Sequence, residues 1–265
     1  MNLYPHHWQT VERLKQHFID DPRYLALIIG GSLVKGYGRE DSDVDIVQVV
    51  TDEEFAKREP IQDLHYLTWD FIDYEGGYID GKIVNRQFLL DVAERGSEPA
   101  RWAFREVIIA YSHIPNLEAI IQRIIVYPEH ERDQKMRSFY SQAYLHYLLG
   151  REAVERFAHN PYLVTQRVME FLFYGGRLIL AYNRMLYPYH KWFMTELEHA
   201  PEKPENLIAL FNETLTAPTV DKIQAYWDAV NGFQDWGIDL HEAVTQFMID
   251  AEWDWRDGKP ALRDS

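Results

Sequence analysis

Apolar residues recur at two different spacings, and the switch from one to the other divides the chain. In segment 7–20, Trp8, Val11, Leu14, Phe18 and Ile19 fall close to helical spacing, and Pro22 ends the run. A compact apolar stretch at 24–29 predicts a buried strand, and 33–38 a short helix or turn closed by Gly36 and Gly38. In 43–50, the apolar Val44, Ile46 and Val50 alternate with Asp43 and Asp45 as in a second strand, and 52–59 reads as a short helix. The aromatic and β-branched run at 65–74, the turn signal Gly76-Gly77 and the alternating run at 78–84 predict two more strands joined as a hairpin. From Arg86 the spacing turns helical, through Phe88, Leu89 and Val92. It breaks at Gly96-Ser97-Glu98-Pro99, then resumes at Trp102, Phe104 and Val107. Pro115 opens a further helix, with Leu117, Ile120, Ile121, Ile124 and Ile125 on its apolar side.

After Tyr127-Pro128 nothing reads as a strand. Segments 132–158 and 162–186 predict two long bundle helices, and shorter ones follow near 191–198, 204–213, 219–234 and 239–253. The expected fold class is therefore α+β: a small mixed sheet with flanking helices over 1–120, an all-α bundle over 121–255, and a loose tail at 256–265. Trp253 and Trp255 are expected to anchor the last helix. Gly175-Gly176 stands inside a strong helical run, where each glycine costs about 1 kcal/mol against alanine. Close packing of another helix is the favoured reason.

Composition narrows the function. The 265 residues carry 27 Lys+Arg against 42 Asp+Glu, a formal charge of −15, and no run of basic residues occurs. Nucleic-acid binding depends on clustered cations displacing counterions, so this balance disfavours a nucleic-acid partner. An acidic field instead favours a cationic small molecule. The absence of cysteine excludes disulfides and thiolate metal sites and suggests a reducing, cytoplasmic setting. No signal peptide or membrane span is expected. Monomer and homodimer both remain open.

Two short motifs carry the chemistry. The first strand runs into Gly30-Gly31-Ser32, which leaves free backbone N–H groups at the start of whatever helix follows, a terminus that attracts anions. Asp43 and Asp45 point to one face of the second strand. Paired carboxylates are costly without a cation between them, and hard ions such as Mg²⁺ take oxygen ligands. A phosphate cradle beside paired aspartates reads as metal-assisted chemistry on a nucleoside triphosphate. His6-His7 reads as a solvated N-terminus, and Arg95, Arg101 and Arg105 are undecided candidates for a cleft.

Gly31-Ser32 followed by Asp43-x-Asp45 resembles the nucleotidyltransferase superfamily that includes DNA polymerase beta and the minimal nucleotidyltransferases. Within it the chain looks most like aminoglycoside nucleotidyltransferases, in which a helical domain follows the catalytic one. The resemblance implies a third carboxylate on a neighbouring strand. Asp80 fits best, with Asp70 and Asp73 as competitors, and Lys82 on the same face can meet a phosphate or a carboxylate. It implies that Asp43, Asp45 and Asp80 hold one or two Mg²⁺ ions and that Gly31 and Ser32 seat the phosphates of ATP or another NTP. Asp80 would then take the proton from the attacking hydroxyl of a small polar acceptor. Tyr189-x-Lys191-Trp192 resembles a basic stretch of the fused helical domains, so Lys191, then Arg177, are the candidates to reach the phosphates from that side. The rival functions are adenylylation of a protein or RNA partner and a non-catalytic, antitoxin-like nucleotide-binding regulator.

Overall fold

The structure is a computed structural model that describes residues 3–256 and Leu262. The expected loose tail, 256–265, lies outside the described residues apart from Arg256 and Leu262. The chain divides into two compact units, Met1–Val126 and Tyr127–Ser265. Among the described residues no helix is long and apolar enough to cross a membrane.

The first unit is a five-stranded mixed sheet between helices. Its elements in chain order are α1 Pro5–Phe18, β1 Tyr24–Ile29, α2 Gly31–Val34, β2 Val44–Val50, α3 Asp52–Arg58, β3 His65–Thr68 and β4 Ile79–Asn85. They continue with α4 Arg86–Arg95, α5 Glu98–Ala103, β5 Ile108–Ser112 and α6 Leu117–Ile124. The strands lie in the order β3-β4-β2-β1-β5; β2 and β4 pair in parallel and the other neighbours antiparallel. Side-chain alternation sorts the strand residues between two cores. On one face Leu27, Ile29, Ile46, Val50 and Ile83 pack with Val11, Leu14 and Phe18 of α1. On the other, Ala26, Ile28, Val49 and Val84 pack with Leu89 and Val92 of α4 and the apolar side of α6. Local signals place the helix starts: Thr51 caps α3 by accepting from the Glu54 N–H, and Asn85 caps α4 by accepting from Phe88 N–H.

Two expectations are corrected here. The helical spacing at Trp102, Phe104 and Val107 ends with α5, and the chain then enters a fifth strand that pairs with β1, Ile29 opposite Ile108. A short apolar run is ambiguous by periodicity alone, and pairing with a distant strand decides it. The strand expected over 65–74 stops at Thr68; Thr68 pairs with Ile79, so 69–78 is a long irregular connection instead of a tight hairpin.

The second unit is helical: α7 Arg132–Arg156, α8 Pro161–Tyr182, α9 Phe193–His199, α10 Leu207–Thr216, α11 Val220–Asn231 and α12 Leu240–Ala251. Its core joins Phe139, Ala143 and Tyr147 of α7 to Phe171, Leu172 and Leu178 of α8, with Phe211, Tyr226 and Trp227 closing it. The Tyr226 hydroxyl is buried there and donates to Leu172 O at 3.0 Å; burial pushes its pKa up. Trp253 and Trp255 do not anchor the last helix, being 43% and 77% exposed.

Gly175 and Gly176 are packing glycines. A Cβ on Gly176 would lie 2.4 Å from Phe193 Cζ, and one on Gly175 2.8 Å from Tyr226 Cε1. Gly176→Ala is therefore expected to destabilise the protein by about 1–3 kcal/mol in denaturant unfolding, overpacking outweighing the gain in helix propensity. Gly150, also inside a helix, has no neighbour nearer than 3.8 Å to its would-be Cβ. Gly150→Ala should instead stabilise by about 0.5–1 kcal/mol.

Candidate active site

The parallel register of β2 and β4 sets Asp45 directly beside Asp80. Neighbouring strands lie about 4.8 Å apart, so the two carboxylates share one edge of the sheet. Asp43 sits just ahead of β2, two residues before Asp45 and on the same side. Each of the three offers a carboxylate oxygen, and these atoms lie within 4.8 Å of one another. All three side chains are half-buried. Three converging carboxylate oxygens form a hard donor set, which fits an ion such as Mg²⁺ or Mn²⁺ better than a soft metal.

Backbone geometry presses the glycine turn onto this cluster. Gly31 has φ +70°, and a Cβ there would fall 1.7 Å from Asp45 Oδ2. Gly30 N–H donates to Asp45 O at 2.9 Å, tying the end of β1 to the same residue. Ser32 follows in the single turn of α2 and is buried; its carbonyl accepts from Tyr37 N–H at 2.9 Å. The requirement at position 31 is thus for both a left-handed backbone and the absence of a side chain.

Neighbours of Asp43 and Asp80, and a buried lysine after the glycine turn, were not foreseen. The negative charge of Asp43 is the chief cause that raises the Tyr78 pKa, which marks the phenol as a neighbour of the cluster. His65 on β3 places Nε2 2.6 Å from Asp80 Oδ1. The Lys35 ammonium, on the loop after α2, is buried, donates to Ala103 O at 3.1 Å and lies 4.8 Å from the Trp102 ring centroid. The stretch leading into Asp43 is held from outside the sheet: Tyr74 Oη donates to Ser42 O at 2.8 Å, and His6 Nε2 donates to Glu40 O at 2.9 Å. His7 is fully buried, and burial, then the neighbouring His6, lowers its pKa. The His6-His7 pair is therefore part of this support, correcting its reading as a solvated terminus.

The remaining candidates stand apart. Lys82 is exposed on the Asp80 face of β4, opposite His65 in the antiparallel register. Asp73 is paired with Arg13 at 2.7 Å, and neither Asp70 nor Asp73 belongs to the carboxylate cluster. Arg101 is buried and donates to Gly96 O and Ile124 O, a structural tie that removes it from the cleft candidates. Arg95 lies beside Asp91 and Arg105 beside Glu106. In the helical unit Arg177 is wholly enclosed, its guanidinium 4.4 Å from the Phe139 ring centroid and 4.2 Å from that of Tyr187. Lys191 is exposed, 5.2 Å from the Trp192 ring.

Gly31→Ala is expected to displace Asp45 and to weaken Mn²⁺ binding, measured by calorimetry, by at least about tenfold, beyond the roughly 1–2 kcal/mol cost of a left-handed alanine. Gly237 supplies the control: its φ is +64° and nothing lies within 4 Å of a would-be Cβ. Gly237→Ala should show the backbone cost with Mn²⁺ binding unchanged.

No protein-family model matches the chain, and no curated protein matches it. Among solved structures it is similar to a nucleotidyltransferase-like protein from Exiguobacterium sibiricum, at 13% identity over 94% of this chain and 91% of that one, with a TM-score of 0.46.

Proposed function

We propose that the chain is a metal-dependent nucleotidyltransferase. It would move a nucleoside monophosphate, AMP from ATP in the first instance, to a hydroxyl of a small polar acceptor and release pyrophosphate. The observation that carries this reading is the cluster of Asp43, Asp45 and Asp80 with the Gly31 turn packed against it. Asp43, Asp45 and Asp80 would hold one or two Mg²⁺. Such an ion offsets the triphosphate charge and aligns attacking and leaving oxygens for in-line displacement at the α-phosphorus.

The chain's own groups divide the remaining work. Gly31 and Ser32 would seat the β- and γ-phosphates on the β1 side of Asp45. The Asp80 carboxylate would accept the proton of the attacking hydroxyl as the new oxygen–phosphorus bond forms and the bond to pyrophosphate breaks. Lys82 is exposed on the same face and available to a phosphate. Lys191 is the basic candidate of the helical unit, because Arg177 has no exposed surface. The net charge of −15 supports a cationic acceptor of the aminoglycoside kind over a nucleic acid.

Incubation with α-labelled nucleoside triphosphates, Mg²⁺ and a panel of aminoglycosides, sugars and cell metabolites tests the reading. Label is expected in a small product, and both Asp43→Asn and chelation of the metal should reduce it to background. Label retained on protein or RNA would replace the small acceptor with a macromolecular one. No transfer and no metal-dependent nucleotide binding with any donor would overturn the enzyme reading.

A further inference from the structure

The contact between His65 and Asp80 has no part in the mechanism above, yet its geometry is specific. Asp80 has Asp45 as its direct neighbour across the parallel β2–β4 pair. Two carboxylates at one register position repel each other. On the other side of β4 lies β3, where Leu67 pairs with Asp80 and His65 with Lys82. His65 is thus the diagonal cross-strand neighbour of Asp80 on the same face, a separation that a long side chain can bridge. It does so at 2.6 Å, to Oδ1 alone. An imidazole supplies one directional N–H without a permanent positive charge, whereas lysine or arginine there would cancel part of the charge the cluster offers a cation.

We propose that His65 is the positioning residue of the carboxylate cluster: by occupying one oxygen of Asp80 from the β3 edge, it fixes that carboxylate against its neighbours and leaves the two lone pairs of the second oxygen for a divalent ion and the hydroxyl proton. This rests on the reading of Asp43, Asp45 and Asp80 as a metal site. Residues that hydrogen-bond a metal ligand commonly set its orientation, and their loss costs about 10–100-fold in metal affinity. The His65 side chain is 62% exposed, so its replacement removes the bond without opening the core.

The test is titration of the purified full-length chain with Mn²⁺ alone, followed by calorimetry, with thermal unfolding recorded for each variant. His65→Ala is expected to bind Mn²⁺ about 10–100-fold more weakly than the native chain at unchanged melting temperature. His65→Gln, whose amide N–H reaches a similar distance, should restore most of the affinity. Binding by His65→Ala equal to native, while Asp45→Asn abolishes it, overturns the positioning role and leaves the metal site standing. Equal weakness of the alanine and glutamine variants also overturns it, because the ring itself would then be a ligand. Failure of the native chain to bind Mn²⁺ removes the metal reading and this inference together.

Discussion

Like charges held at close range are the constraint on which the rest of the first unit depends. The β2–β4 register leaves Asp45 and Asp80 no choice but adjacency, and Asp43 adds a third charge within 4.8 Å. At that separation each pair repels by between about 1 and about 3 kcal/mol, depending on how far water screens it. A fold keeps such an arrangement only if the surrounding structure over-determines it. Here that structure is the two-sided apolar core, which buries Val44, Ile46, Ile79 and Ile83 beside the acids and fixes the strands that carry them. A divalent cation is the natural counter-charge for what the strands impose.

The supports around the acids come from every side. Gly31 yields its side-chain space to Asp45, and His65 holds Asp80 from the sheet edge. The approach to Asp43 is pinned by Tyr74 on Ser42 and by His6 on Glu40, so the start of α1 and the 69–78 connection both bear on the site. In the helical unit a different economy holds. Arg177 is stacked between aromatic rings and Gly176 admits Phe193, features of a packed core.

Much of this was legible in the sequence because it depends on local spacing. Alternation through Asp43, Val44, Asp45 and Ile46 specified both strand and face, and the same period placed Asp80 on a strand edge. The helical spacing of the second half led directly to its all-α architecture. What stayed hidden depends on partners far along the chain. The strand at 108–112 is defined by pairing with β1, and nothing within it distinguishes it from a helix end. The bond from His65 to Asp80 exists only in one register of β3 on β4. The burial of Arg177 is created by Phe139 and Tyr187, which belong to other segments, so an arginine that looked available is enclosed.

Asp43, Asp45 and Asp80 are proposed to hold a divalent cation together. Anomalous diffraction from crystals of the chain soaked with Mn²⁺ tests it most directly. One or two manganese peaks are predicted, bonded to carboxylate oxygens of all three aspartates at about 2.1 Å, the distance of a small hard cation. Manganese bound elsewhere, with no peak at these carboxylates, would contradict it.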